Sequence, residues 1–179
     1  MEIKELIKNI EAWGIERELD KKGTVEGQQI KTAEEISELI KGISKNNLNL
    51  IKDSIGDIFV TLVIGNMLDH KHNFAEIYEK ANKLMEEEGK NLPKDQDLRK
   101  ETILCMAEMI TWLLESDYSS ENINDALLNL MGVAEFYELS LKDCVESAYH
   151  EIANRKGKMI GGTFVKEEDL ENWWISQKA

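Results

Sequence analysis

The sequence predicts an all-α helical bundle, and three observations carry that prediction. Apolar residues recur at three- and four-residue steps through most of the 179 residues. Pro93 is the single proline, and aromatics make up only 7% beside abundant Glu, Lys, Leu and Ile, a composition that favours helix over strand. Capping and turn residues punctuate the periodic stretches at intervals suited to helices rather than strands.

Taken in order, Ile3, Leu6, Ile7, Ile10 and Trp13 define an amphipathic first helix over about residues 2–20. The Lys21-Lys22-Gly23-Thr24 turn follows. A second helix is expected over 25–43, with Ile30, Ala33, Ile36 and Ile40 on its apolar side. Asn47 can cap a third over 48–68. A fourth, over 74–87, ends near Gly89, before Leu92-Pro93. Further helices are expected over 98–115 and 122–137. Ser140 with Asp143 resembles a capping box opening a last helix to about Arg155. The tail, 157–179, with Gly161-Gly162, Thr163-Phe164-Val165 and Trp173-Trp174, reads as irregular or briefly extended and packed over the bundle.

A chain of this length can bury a real core, and one domain over 1–179 is the expectation. The net charge of −13 argues against a nucleic-acid polymer or an anionic membrane as partner. The apolar run from Ile55 to Leu68 is too short and too polar to span a bilayer. No secretion signal opens the chain, so a cytoplasmic location is expected. Cys105 and Cys144 have neither disulfide nor zinc spacing and read as small buried hydrophobes. His70, His72 and His150 read as surface residues, and Trp13 as core.

The middle of the chain resembles a faded copy of the front, with degenerate repeats over about 26–92 and 98–160. Ile51, Asp53, Asp57 and Gly65 align with Ile123, Asp125, Asn129 and Tyr137, Glu35 with Glu108, and Ala81 with Ala148. The second copy lacks the acids of the first: Glu38 corresponds to Thr111 and Asp57 to Asn129.

The informative stretch is Glu34-Glu35-Ile36-Ser37-Glu38, followed by Asp53-Ser54-Ile55-Gly56-Asp57. Glu35 and Glu38 share one helix face with Lys31, and Asp53 and Asp57 share another with Thr61. Two antiparallel helices would bring the four carboxylates into one volume. An E-E-x-x-E string alone is usually a solvated face. Asp57 differs, because it sits within an apolar run. Converging carboxylates raise one another's pKa, and a hard divalent cation with oxygen ligands relieves the repulsion. Mg²⁺ is the expected cofactor, with Mn²⁺ as its substitute.

These motifs resemble the MazG-like branch of the all-α nucleoside triphosphate pyrophosphohydrolases, whose pattern is E-E-x-x-E, a variable gap, then E-x-x-D. The approach Gln29-x-Lys31-x-Ala33 is similar to the family's. So are the stretch from Ala148 to Met159 and Gly162-Thr163-Phe164-Val165-Lys166-Glu167-Glu168-Asp169. The resemblance covers about residues 1–70 and 140–171, and it departs at Ser54, where the family has Glu. Asp53, one residue earlier, would take that role.

The resemblance implies a four-helix core, a homodimeric habit, and Mg²⁺-dependent hydrolysis of a nucleoside triphosphate, chiefly a deoxyribonucleotide, to monophosphate and pyrophosphate. It implies that Glu35, Glu38, Asp53 and Asp57 hold the metal. Glu34 would orient the attacking water or act as general base, or else is an exposed bystander. Lys31, Asn154, Arg155 and Lys158 would contact the substrate. The alternatives are a nucleotide- or metal-binding regulator without turnover and a helical interaction module whose acids are merely solvated.

Overall fold

The computed structural model describes residues 1–88, 101–102, 105–106, 109 and 117–170. Seven helices make up the described bundle: α1 (Ile3–Glu16), α2 (Leu19–Lys22), α3 (Val25–Ser44), α4 (Leu48–Leu68), α5 (Phe74–Glu88), α6 (Ser120–Phe136) and α7 (Leu141–Ala153). A two-stranded antiparallel hairpin follows, β1 (Gly157–Ile160) and β2 (Thr163–Lys166), in which Gly157 pairs with Lys166 and Ile160 with Thr163. The fold class is all-α, as the periodicity predicts.

The helix starts are chemically specified. Thr24 Oγ1 accepts from Gly27 N (3.1 Å), Asn47 Oδ1 from Leu50 N (3.2 Å) and Ser140 Oγ from Asp143 N (3.2 Å), satisfying donors that a helix N-terminus leaves open. α4 is the central element. It is buried almost all round from Ile58 to Asn66 and packs on α1, α3, α6 and α7. Ile36, Leu39, Ile55, Phe59, Leu62, Leu127 and Val145 are among the residues of the continuous core around it.

Three expectations are corrected. The first helix does not run to residue 20. It ends at Glu16, Glu18 takes a left-handed conformation (φ 60°), and α2 is a separate short turn. The break has a tertiary cause: Arg17 stacks its guanidinium 4.8 Å from the Trp13 ring centroid and donates to the carbonyls of Ala153 and Arg155 at the end of α7. Ile30 is exposed (57%), and the inward face of α3 carries Gln28, Thr32, Ile36, Leu39 and Ile43 instead. Thr32 hydrogen-bonds the buried Tyr118 hydroxyl (2.9 Å), so a polar pair occupies what an apolar pattern would assign to aliphatics. Cys144 is buried as expected, whereas Cys105 is only half-buried.

Of the expected helix at 98–115, residues 101, 102, 105, 106 and 109 are described and are helical, whereas Glu108 and Thr111, like Trp173 and Trp174, lie outside the described residues. Within them, α4 packs on α7 and α5 on α6. The 72-residue offset that carries Asp53 onto Asp125 also carries Asn47, the N-cap of α4, onto Ser119, the N-cap of α6. The 67-residue offset from Ala81 to Ala148 carries the start of α5 onto that of α7. Among the described residues, no helix is long and apolar enough to cross a membrane.

Candidate functional site

The α3–α4 hairpin builds the floor of a cleft of about 590 Å³. Gly42 lets the helices close on each other, since a Cβ there would lie 3.0 Å from the Ile51 side chain. Gln28 Nε2 donates to Thr61 O (3.1 Å) and marks the antiparallel register. Steps of three and four residues then give each helix one stripe toward the cleft: Gln28, Lys31, Glu35 and Glu38 from α3, and Asp53, Asp57, Thr61, Ile64 and Leu68 from α4. Because the helices run in opposite directions, the carboxylates gather at one end of the floor. The other end is apolar.

The walls come from distant parts of the chain. α7 contributes Glu151, Ile152 and, just past its end, Arg155; α1 contributes Trp13; the hairpin contributes Gly162, Phe164, Val165 and Lys166. Trp13 Nε1 donates to Ile152 O (2.8 Å), and Phe164 sets its edge against the Trp13 ring at 5.8 Å between centroids. Thr24 N donates to Gly162 O (3.1 Å), which holds the hairpin over the start of α3. The described part of the tail is thus briefly extended and packs over the bundle, as the sequence predicts.

The electrostatics follow from this geometry. Burial pushes Asp57 up from 3.8 to about 7, and the charges of Glu35, Asp53 and Glu151 push the same way against Arg155. Glu35 is raised by burial and then by Glu38, opposed by Lys31 and Lys166. Asp53 is raised by burial, Glu151 and Glu38. The donor set suits a hard cation: the acidic end offers carboxylates, and no His or Cys lines the cleft among the described residues. The carboxylates face one another across the cleft without three of them meeting within 4.8 Å. The set that does so among the described residues is Asp69, His70 and Asp117, near the surface at the far ends of α4 and α6. There His70 Nε2 lies 3.0 Å from Asp117 Oδ2, an ordinary charge pair.

Of the residues singled out in the sequence, Lys31, Glu34, Glu35, Glu38, Asp53, Asp57 and Arg155 all line the cleft. Lys31 pairs with Glu34, and Arg155 with Glu151. Two do not line it. Asn154 caps α7 in a shallow groove beside Lys156, Glu167 and Glu168, and Lys158 is exposed on β1. The reason is the chain's turn into β1 directly after α7, which ends the helical stripe at Arg155. Sequence reasoning missed Glu151 and Lys166 as cleft residues. Glu151 was legible as the residue one helical turn before Arg155; Lys166 depended on the hairpin register.

Ser54 is buried (1%) and donates to Leu50 O (2.8 Å), on the core side of α4 rather than the cleft side. Ser54 itself does not line the cleft, so the serine supplies no ligand there. If the cleft binds a divalent cation, Ser54→Ala is expected to leave that binding within about twofold of wild type, because it removes one hydrogen bond worth about 1 kcal/mol on the core side of α4. A folded Ser54→Ala protein without cation binding would return Ser54 to the site.

Fold and cleft together define a class: an all-α bundle whose central hairpin carries an acidic cleft. The chain is 34% identical over 162 residues to the uncharacterized 18.2 kDa protein in the rep-hol intergenic region of Haemophilus phage HP1 (strain HP1c1). The match covers 82% of this chain and 98% of that protein, and the chain belongs to the same family. No protein-family model and no solved structure matches it.

Proposed function

We propose that the protein is a Mg²⁺-dependent nucleoside triphosphate pyrophosphohydrolase, with the cleft as its active site. The observation that carries this reading is the half-buried, charge-crowded Asp57 facing Glu35, Asp53 and Glu151 over one cavity with cations on its rim. Such crowding is costly in a metal-free protein and is relieved by a hard divalent cation. Glu35, Glu38, Asp53 and Asp57 would hold it, with Glu151 as a fifth carboxylate. The chemistry that Mg²⁺ (or Mn²⁺) supplies when bound is neutralisation of charge and polarisation of phosphoryl oxygens.

The chain's own residues do the rest. Lys31, Arg155 and Lys166 line the cleft at the acidic end, where they would take the triphosphate oxygens. In the reaction, a water oxygen bonds to the α-phosphorus while the bond from that phosphorus to the bridging oxygen breaks. Pyrophosphate departs with the bonding electrons. Glu34, exposed and paired with Lys31, stands where it could accept the water's proton. In this reading the site is self-contained within one chain; dimerisation is not needed to complete it.

The test is pyrophosphate release from a panel of ribo- and deoxyribonucleoside triphosphates with Mg²⁺, with Mn²⁺ and with chelator. Metal-dependent release of pyrophosphate with the matching monophosphate is expected, and loss of about 10²-fold or more in Glu35→Gln. No turnover by a folded protein whose melting temperature still rises with Mg²⁺ would favour the regulator reading. No thermal response to either cation would sink both.

A further inference from the structure

The apolar end of the cleft contains a polar side chain whose acceptor has no partner among the described residues. Gln28 is 9% exposed and lines the cleft. Its Nε2 donates to Thr61 O, which fixes the amide's orientation, and its Oε1 accepts no hydrogen bond from any described residue. That oxygen is open to water rather than sealed in the core, so a ligand N–H entering the cavity can take the water's place. Around it the walls are Trp13, Leu19, Val60, Ile64, Leu68 and Phe164. A ligand fitting there has apolar faces and a hydrogen-bonding edge, which describes a planar nitrogen heterocycle.

We propose that Gln28 is a specificity-determining residue, whose amide oxygen accepts an N–H from the edge of a nucleobase held between these walls. The inference rests on the hydrolase reading for the choice of a nucleotide, because the carboxylates and cations occupy the other end of the same cavity. It goes beyond that reading in naming the residue that distinguishes bases. A site built around a hydrogen bond rejects ligands that cannot make it more strongly than an apolar pocket rejects a size mismatch. Lys31, one helical turn further along α3, links the two ends, so base and polyphosphate would lie along a single helix face.

The test is calorimetric binding of dAMP, dCMP, dGMP, dTMP and dUMP, and of pyrophosphate, to the full chain. Wild type is expected to prefer one or two of the monophosphates. It should bind the preferred one about ten- to a hundredfold more tightly than an analogue methylated at its edge N–H. Gln28→Met, close in shape to glutamine, should lose that discrimination while binding pyrophosphate as wild type does. The methylated analogue tests the wild-type protein directly, so the result does not depend on the variant folding. Equal binding of parent and analogue by wild type would overturn the inference, as would no binding of any monophosphate or undiminished discrimination by a folded Gln28→Met. Metal-dependent pyrophosphate release without base discrimination would overturn this inference and spare the hydrolase reading. Discrimination lost in Gln28→Met, without turnover of any triphosphate, would do the reverse.

Discussion

On the proposed hydrolase reading, replacing Asp57 by Asn is expected to abolish pyrophosphate release and, in the same protein, to raise the melting temperature of the metal-free chain above pH 7. The two effects have one cause. In the unfolded chain Asp57 ionises near 3.8, but in the fold it keeps its proton up to about 7, because burial and the charges of Glu35, Asp53 and Glu151 oppose ionisation. Below pH 3.8 the carboxyl is protonated in both states and contributes nothing. As pH rises from 3.8 to about 7 the unfolded state gains progressively, and above 7 the full penalty remains. The interval corresponds to at most about 4 kcal/mol, or roughly 10 °C in a chain of this size. Asn carries no charge, so the variant should gain stability at pH 8 and almost none at pH 4, while its thermal response to Mg²⁺ shrinks. Thermal melts at the two pH values, with chelator and with Mg²⁺, would show it. Equal stability of the two proteins at pH 8 would mean that Asp57 is not the strained group, and full turnover by Asp57→Asn would remove it from the active site.

Gly56→Ala should destabilise the fold. A Cβ at Gly56 would lie 2.4 Å from Cys144 O and 2.8 Å from Ala148 Cβ, so it meets the backbone of α7 rather than a flexible side-chain end. To accept it, α7 must move away from α4. Overpacking of this kind costs about 1–3 kcal/mol, which lowers the melting temperature by roughly 5–10 °C at the upper end. Gly132→Ala on α6 is the control. A Cβ there meets nothing within 4 Å, so the variant should gain up to about 1 kcal/mol from helix propensity. The first substitution also reaches the cleft, because Glu151 and Arg155 ride on the far end of α7. Turnover by Gly56→Ala should therefore fall even below its melting temperature. The packing argument fails if both glycine variants melt together.

The two halves of the site were unequally legible in the sequence. The acids of α3 and α4 could be read because their grouping is local: helical steps of three and four, a capped turn at Asn47, and Asp57 set among Ile55, Ile58 and Phe59. The walls could not. Glu151 and Lys166 reach the cleft through the packing of α7 on α4 and the pairing of β1 with β2, neither of which leaves a periodic trace. Asn154 and Lys158 were misplaced for the same reason, since a basic, polar stretch does not reveal where a helix stops. Gln28 and Thr32 ran against the apolar pattern of α3. Hydrogen bonds to Thr61 O and to the Tyr118 hydroxyl make their burial affordable, and both partners are distant in sequence.

The contact between Trp13 and Ile152 spans 139 residues, whereas Gln28 and Thr61, which register the hairpin, are 33 apart. Closing a short loop costs less entropy than closing a long one, so local hairpins tend to organise before contacts between the two ends of a chain. In a refolding molecule the α3–α4 hairpin would gather Glu35, Glu38, Asp53 and Asp57 while Arg155 and Lys166 were still far away. The cleft therefore acquires its negative charge first and its opposing cations last, and the order of assembly leaves the acids facing open water until the final contacts form.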